Sequence, residues 1–325
     1  MMVGGAFAIG QALALGVKIG PSKPVFVAQD HSEFKPLPVV QTSRRKDVVA
    51  LDAFETAWRE WMGIYGVTAS SIAIGQDGSI LRSRGAKRAP STSFPMASLS
   101  KSSTAHCLNT FLEDSPYDWS STLADLQPVL AKLNLTPGEA ILEKTLTEFA
   151  THTSGLPTRL AQGKTSLQNK HLDSQASMTR TALKVPANFN AESGYSYSNA
   201  NYAILGSLIG AMSGGSYAEV CKARIMDPAK ALNANVSGHM AKTAGYGGWL
   251  VLVEDYARYA MHWFAPNTPW VKEPRDFALD PETGYGMGAW LRNHDRGYLF
   301  SHGGSWKHTD RRRAKLGSYM MVGPD

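Results

Sequence analysis

Strand-like segments lie towards both ends of this 325-residue sequence, and helical patterns fill the middle. Ser71–Gly75 and Ile80–Arg82 flank Asp77-Gly78, a dipeptide that suits the positive backbone angles of a tight hairpin. Similar segments return at Tyr298–Phe300 and Ser318–Val322. The sequence therefore predicts an α+β fold: an antiparallel sheet built from both chain ends and flanked by helices, plus an inserted mainly helical lobe.

Three segments show clear helical periodicity. An apolar face runs from Phe54 to Tyr65, and Asp52 is the expected N-cap of that helix. A second stripe runs from Ile204 to Met212 and stops at Gly214-Gly215, and a third helix is expected over residues 254–264. These helices are expected to cover the sheet or to build the inserted lobe.

The predicted domain division places residues 29–97 and 242–325 in the sheet domain and residues 98–241 in the mainly helical domain. Residues 1–28 are expected to form a leader or a disordered arm, because Met1–Val17 is apolar and uncharged but too short to span a bilayer. A leader would give a periplasmic or secreted protein, and a cytoplasmic location is the alternative. No stable membrane span is predicted.

The charge pattern bears on the kind of partner. The net charge is +6, and the basic residues are spread out apart from two runs, Arg44–Lys46 and Arg311–Lys315. Both runs are expected to be solvated surface, so no nucleic-acid partner is predicted. The second run follows His302 closely enough to meet an anionic substrate group. The sequence does not define an oligomeric state.

Cys107 and Cys221 are the two cysteines, and both lie in helix-like apolar surroundings. Their spacing forms neither a disulfide framework nor a metal site, so buried free thiols are expected. Gly163-Lys164-Thr165 lacks the earlier glycine of a phosphate-binding loop. Neither a metal nor a cofactor is therefore predicted.

Ser98 and Lys101 are the residues that point most directly to chemistry. Residues three apart project from one helix face, so a lysine of low pKa could take the proton of the serine hydroxyl. Apolar residues recur after Lys101 at helical spacing, which would bury the amine. The same pattern at Ser43–Lys46 lies in a polar stretch with no apolar helix after it, so Ser43 is expected to be surface.

Two further elements supply the other groups that acyl transfer needs. Tyr197 is expected to return a proton to the leaving group, and the amide of Asn199 is expected to hold a substrate carbonyl. His302-Gly303-Gly304 follows a strand-like run, and its glycines allow a substrate to approach the backbone. The N–H groups of Ser305 and Ser98 would form an oxyanion hole. The order of the three elements favours catalysis over separate helix caps and turns.

These elements resemble the serine β-lactamase and penicillin-binding-protein superfamily, in its class C-like branch with family VIII-type esterases. Four more segments are similar to that family: Leu146–Pro157, Tyr197–Gly206, Gly247-Gly248 and Gly284–Gly288. The similarity covers about residues 51 to 322. It implies a two-lobed fold, an acyl-enzyme on Ser98, and Lys101 and Tyr197 beside that serine.

Two departures from the family pattern shape the functional prediction. His302-Gly303-Gly304 stands where class C β-lactamases have Lys-Thr-Gly, and a neutral histidine binds a β-lactam carboxylate less well than an ammonium. The sequence also ends at Gly323-Pro324-Asp325, where similar proteins continue with a strand and a helix, so a truncated chain is one expectation.

The sequence thus predicts a serine hydrolase that acts through an acyl-enzyme on Ser98, and the first hypothesis is a carboxylesterase that acts on small esters. A D-amino-acid peptidase or DD-peptidase, or a weak β-lactamase, is the alternative with the same machinery. An alternative of another class is a non-catalytic penicillin-binding sensor domain. The predicted partner is a small-molecule ester, amide or β-lactam substrate.

Overall fold

A computed structural model of the chain describes residues 5–14, 44–160, 175–185, 188–236, 238–307 and 315–324. The strands of this part are β1 (Gly5–Ala14), β2 (Ser70–Gln76), β3 (Ser79–Ala86), β4 (Phe94–Pro95), β5 (Leu250–Val251), β6 (Leu279–Asp280), β7 (Tyr285–Gly286), β8 (Ala289–His294), β9 (Gly297–Lys307) and β10 (Lys315–Gly323). The main sheet has the order β3-β2-β1-β10-β9-β8-β7-β6, and β4 pairs separately with β5.

The prediction of an antiparallel sheet from both chain ends is confirmed. Neighbouring strands of the main sheet run antiparallel, and β2 and β3 form the expected hairpin. Asp77 and Gly78 both have positive φ, 52° and 74°, as a two-residue turn matched to strand twist requires. The carboxyl-terminal strands β9 and β10 pair along the register from Lys315 opposite Lys307 to Val322 opposite Phe300.

Strand β1 lies inside the range that the sequence predicted to be a leader or a disordered arm. It pairs with β2 on one side and with β10 on the other, so it joins the two halves of the main sheet. The apolar composition of this segment suits a leader as well as a strand. Its pairing with two distant strands cannot be read from local sequence. Cleavage of residues 1–28 and the periplasmic or secreted location stay predictions.

The α-helices of the described residues are α1 (Arg44–Ile64), α2 (Ser100–Leu112), α3 (Gln127–Lys132), α4 (Glu139–Leu142), α5 (Leu146–Ala150), α6 (Gln175–Leu183), α7 (Asn199–Ser213), α8 (Tyr217–Cys221), α9 (Ala244–Gly247), α10 (Val253–Trp263) and α11 (Pro269–Lys272). Short 3₁₀ turns cover Ala97–Leu99, Thr158–Leu160, Gly238–Thr243 and Pro274–Asp276, and a π-helical turn covers Lys222–Met226. No helix in these ranges combines the length and apolarity needed to cross a membrane.

Helix α1 begins earlier than the sequence predicted. Asp52 lies inside the helix and forms an ion pair with Arg82, so its prediction as the N-cap is wrong. The expected apolar face is present, since Trp58 is buried and Phe54 packs beside it against β2. Tyr65, the last residue assigned to that face, is 66% exposed.

Helix α7 forms the centre of the helical layer. It is apolar on nearly all sides and buried along most of its length, and it packs against α2, α6 and α9. It ends at Gly214, whose φ of 68° is the left-handed conformation typical of helix ends. The predicted helices over residues 204–212 and 254–264 are therefore confirmed as α7 and α10. The boundaries of the predicted domains stay a prediction.

Cys107 and Cys221 form a disulfide, so the prediction of two free thiols is wrong. The two residues are 114 positions apart, and their Cα atoms are 5.4 Å apart because α2 and α8 pack side by side. Sequence spacing could not reveal this pairing. Disulfides of this kind are typical of chains that fold in oxidising compartments.

Removal of the disulfide should destabilise the fold. We expect a Cys107→Ala/Cys221→Ala double variant to lose about 2–5 kcal/mol of unfolding free energy, because the crosslink restricts the unfolded chain. Urea unfolding measures the change, and reduced wild-type protein should unfold like the double variant. Two reactive thiols in unreduced, denatured wild-type protein would contradict the disulfide.

Candidate active site

Ser98 lies in the 3₁₀ turn that leads from β4 into α2. Ala97, the residue before it, has a φ of 49°, which is a strained conformation for a residue with a side chain. The turn is fixed by Met96, whose N–H donates to the carbonyl of Trp249 at 2.8 Å. The Ser318 hydroxyl on β10 donates to the Met96 carbonyl at 2.6 Å. Strand β10 and the segment between α9 and β5 thus hold the turn from two sides.

Lys101 lies on the first turn of α2 and is fully buried. Its Nζ is 3.2 Å from Ser98 Oγ and 2.6 Å from Asn199 Oδ1. The carbonyl oxygen of Tyr246 in α9 lies 3.1 Å from the same nitrogen. Burial lowers the pKa of Lys101 well below its usual range, because desolvation penalises the charged ammonium.

Tyr197 completes the contact around the nucleophile. Its phenol lies beside the Ser98 side chain, whose hydrogen bonding lowers the pKa of the phenol, and Lys101 Nζ lies 4.8 Å from the centre of its ring. Burial raises the pKa of Tyr197 well above its usual value, and the bond to Ser98 opposes this shift only in part. The phenol therefore keeps its proton at neutral pH. A neutral amine and a protonated phenol are thus placed on the same hydroxyl.

Strand β9 carries His302, Gly303, Gly304 and Ser305 past the nucleophile. A Cβ added to Gly304 would lie 2.5 Å from the Met96 carbonyl oxygen and 2.9 Å from the backbone nitrogen of Ser98. Glycine is required here because the two backbones touch. Gly304, the residue before Ser305, therefore lies against the backbone nitrogen of Ser98.

His302 is buried on β9 and contacts Tyr285 on β7. The Tyr285 hydroxyl and His302 Nε2 are 3.1 Å apart, and the rings of Tyr197 and His302 have centres 6.3 Å apart. Tyr285 also packs against Tyr195 and Trp290, with ring centres 6.0 and 5.0 Å apart respectively. The wall of the site beside His302 is therefore aromatic.

The structure brings Ser98, Lys101, Tyr197 and Asn199 together as the sequence suggested. Asn199 contacts Lys101 through its carbonyl oxygen, a role that the sequence analysis did not assign. The predicted contact of its amide with a substrate, and the roles assigned to His302, Gly303, Gly304 and Ser305, stay predictions. Ser43 and Arg311–Ala314 lie outside the described residues.

Sequence reasoning missed several groups of the site. The Tyr246 carbonyl is a backbone acceptor, and every residue type has one, so the sequence gives no sign of this contact. Gly288 packs so closely on α2 that a Cβ there would lie 2.3 Å from the backbone nitrogen of Ser102. His152 packs on the Tyr197 ring with centres 4.3 Å apart. Gly288 and His152 lie in segments that resemble the family, but the sequence pattern predicts no role for either residue.

A family model described as Beta-lactamase matches residues 54–325. The chain belongs to the beta-lactamase family. The predicted superfamily is confirmed, and this membership makes the chain a serine hydrolase. The class C-like branch is compatible with the match and stays a prediction. A search of curated protein sequences gives no significant match.

Solved structures with this fold come from several beta-lactamase relatives. An octameric penicillin-binding protein homologue from Pyrococcus abyssi is 19% identical, with a TM-score of 0.65 over 84% of this chain and 73% of that one. FmtA from Staphylococcus aureus is 15% identical, with a TM-score of 0.60 over 88% and 87%. A D-amino acid amidase from Ochrobactrum anthropi SV3 is 15% identical, with a TM-score of 0.58 over 81% and 88%.

Within the described residues, no group of three or more His, Cys, Asp or Glu side chains is arranged to hold a metal ion. In the described part of the chain, none of the groups that contact Ser98 Oγ and Lys101 Nζ is a carboxylate. The side chains described around Ser98 are therefore the amine of Lys101, the phenol of Tyr197 and the amide of Asn199.

A Gly304→Ala variant tests the close contact between β9 and the Ala97–Leu99 turn that carries Ser98, here called the nucleophile turn. The added methyl group must displace Met96 or Ser98, so we expect a fluorescent phosphonate to label Ser98 about 10²-fold more slowly. Gly63→Ala is the matched control, because a Cβ at Gly63 meets nothing within 4 Å. Equal labelling of the two variants would contradict the contact.

Proposed function

We propose that the chain is a carboxylesterase that acts on small esters through an acyl-enzyme on Ser98. The observation that carries this proposal is the shared contact of the Ser98 hydroxyl with the Lys101 amine and the Tyr197 phenol. A hydroxyl needs a nearby base to become a nucleophile at neutral pH. The opposite pKa shifts of the two neighbours divide the roles of base and acid between them.

The hydrogen bonds of Lys101 support its role as the base. Asn199 Oδ1 and the Tyr246 carbonyl can only accept, so they take the two N–H groups of a neutral amine. The remaining lone pair then faces Ser98 Oγ at 3.2 Å. In this arrangement the Ser98 hydroxyl donates to Lys101, which is the direction that proton removal requires.

The proposed reaction has two steps, acylation of Ser98 and hydrolysis of the acyl-enzyme. Ser98 Oγ attacks the ester carbonyl carbon while its proton passes to Lys101, and a tetrahedral oxyanion forms. Tyr197 gives its proton to the leaving alcohol oxygen as the C–O bond breaks, and the proton held by Lys101 restores the phenol. Water then attacks the acyl-enzyme by the same route, which releases the acid and restores Ser98. Proton transfers of this kind contribute about 10²–10⁴ each to the rate.

The oxyanion is expected to accept hydrogen bonds from two backbone N–H groups, those of Ser98 and Ser305. The close contact between Gly304 and the Ser98 nitrogen supports this pairing. Ser98 also lies at the start of α2, where N–H groups without helical partners favour negative charge. Loss of one oxyanion donor typically costs about 3–4 kcal/mol of transition-state stabilisation.

The preference for esters rests on the position occupied by His302. An imidazole bonded to the Tyr285 hydroxyl replaces the permanent ammonium that would bind a β-lactam carboxylate. The aromatic wall of Tyr195, Tyr285 and Trp290 suits an uncharged acyl group. Both features favour small neutral substrates.

A D-amino-acid peptidase or weak β-lactamase is the second candidate. The similarity in fold to a D-amino acid amidase favours it, since amide hydrolysis could use the same groups. A penicillin-binding sensor that does not turn over would keep Ser98 reactive but would release no product. The intact contact of Ser98, Lys101 and Tyr197 argues against a wholly inactive domain.

A substrate panel with Ser98→Ala as the control tests the proposal. We expect wild-type protein to turn over short-chain aryl esters faster than a cephalosporin or a D-Ala-D-Ala peptide, and to show the mass of an acyl group on Ser98. Ser98→Ala should lose both. Turnover of the peptide or cephalosporin alone would favour the second candidate, and labelling without turnover would favour the sensor.

The pH dependence of ester hydrolysis tests the role of Lys101. Because only the neutral amine accepts a proton, kcat/KM should fall as pH drops through the lowered pKa of Lys101 and should rise to a plateau above it. Burial also lowers the pKa of His152 well below its usual range, which favours the neutral ring. Lys101→Arg should abolish activity, because a guanidinium stays charged.

His302→Gln is the control for this pH profile. It keeps a neutral polar group on β9, so the acid limb should persist in that variant. If the fall of kcat/KM at low pH disappeared in His302→Gln, His302 rather than Lys101 would be the titrating group, and the role of Lys101 as the base would be contradicted.

A further inference from the structure

His152 is a buried titratable residue for which the proposed reaction has no step. It follows α5, in a tight turn where its own φ is 64°, and its side chain has no exposure to solvent. Its ring packs against the Tyr197 ring, with centres 4.3 Å apart and planes at 42°. A buried polar residue in a strained backbone conformation requires compensating interactions from its surroundings.

Those interactions converge on the residues on either side of Tyr197. The N–H of Ser196 donates to the His152 carbonyl oxygen at 2.8 Å. The N–H of Ser198 donates to His152 Nδ1 at 3.3 Å. With the ring contact, one residue therefore holds Tyr197 at three points: before it, after it and on its face.

The neighbouring polar groups also fix the tautomer of His152. Asn201 Oδ1 accepts from the Ser154 hydroxyl at 2.6 Å, which turns the Asn201 amide nitrogen towards His152 Nδ1 at 3.0 Å. Nδ1 thus accepts from two donors, so the proton of the neutral ring lies on Nε2. Burial lowers the pKa of His152 well below its usual range and keeps the ring neutral.

We propose that His152 is a positioning residue that holds the Tyr197 phenol on the Ser98 hydroxyl through the acceptor Nδ1. This inference rests on the proposed function, because it assigns His152 a task in the same reaction. The task demands precision, since a displacement of about 1 Å in a catalytic group can cost about 10²-fold in rate. In this role His152 acts on the reaction through Tyr197.

Two substitutions separate the acceptor from the mere presence of a side chain. Asparagine places Oδ1 where His152 has Nδ1, and it tolerates positive φ. Leucine has the same branching without an acceptor, and it leaves the N–H of Ser198 and the Asn201 amide without their partner. We expect His152→Leu to lower kcat for an aryl ester about 10²-fold with little change in KM, and His152→Asn to stay within about tenfold of wild type.

A double-mutant cycle with Tyr197→Phe gives the decisive readout. If His152 acts through the phenol, His152→Leu should lower the phosphonate labelling rate less than about threefold once the phenol is absent. A purely structural role would lower it by the same factor in both backgrounds, and that result would overturn the proposal. His106→Leu is the matched control: His106 is also buried, but it packs on Trp263 and Phe264, so its loss should leave kcat unchanged.

The two levels of the proposal fail in different ways. Absence of labelling and of turnover in wild-type protein would refute the proposed function and with it the positioning role of His152. An active wild type with His152→Leu and His152→Asn equally impaired would overturn only the role of Nδ1. The amide proton resonance of Ser198 reports the contact itself, even in inactive protein: it should be retained in His152→Asn and shifted in His152→Leu.

Discussion

A lysine amine kept without solvent beside a serine hydroxyl is the constraint on which the rest of the site depends. Lys101 has no exposed surface, and its neighbours are oxygen atoms of Ser98, Asn199 and Tyr246. Burial of an ammonium costs several kcal/mol, so the fold favours the neutral amine. Helices α2, α7 and α9 each contribute one side of this enclosure. The environment proposed to activate Ser98 is therefore a property of how three helices pack.

The sheet contributes by bringing backbone against backbone. Gly304 on β9 and Gly288 before β8 each leave no room for a side chain, because a Cβ would overlap the nucleophile turn or the first turn of α2. Ser318 on β10 holds the carbonyl of Met96 on the same turn. The turn carries a strained φ at Ala97, and these contacts from the sheet keep it in place. The position of the turn that carries Ser98 is thus defined more by main-chain contacts than by side chains.

Local features were predictable from sequence, whereas long-range ones were not. The Asp77-Gly78 turn, the end of α7 at Gly214 and the helix after Ser98 each follow from a few neighbouring residues, and the structure confirms them. The grouping of Ser98, Lys101 and Tyr197 was inferred from three weak motifs in a fitting order. The start of α1, by contrast, lies in a polar stretch with no apolar face to mark it. The disulfide, the Tyr246 carbonyl and the place of β1 depend on which distant elements meet, and spacing along the chain does not record this.

The covalent link from Cys107 to Cys221 lies on the same helix as Lys101, six residues further on. It joins the middle of α2 to the last residue of α8, whereas the groups around Ser98 are assembled by non-covalent packing alone. The arrangement of the groups around Ser98 and the stability of the fold therefore depend on different parts of this molecule. Preparations that differ only in the oxidation of this pair would share a turnover number and differ in shelf life, so storage half-life, rather than specific activity, is the sensitive index of correctly matured material.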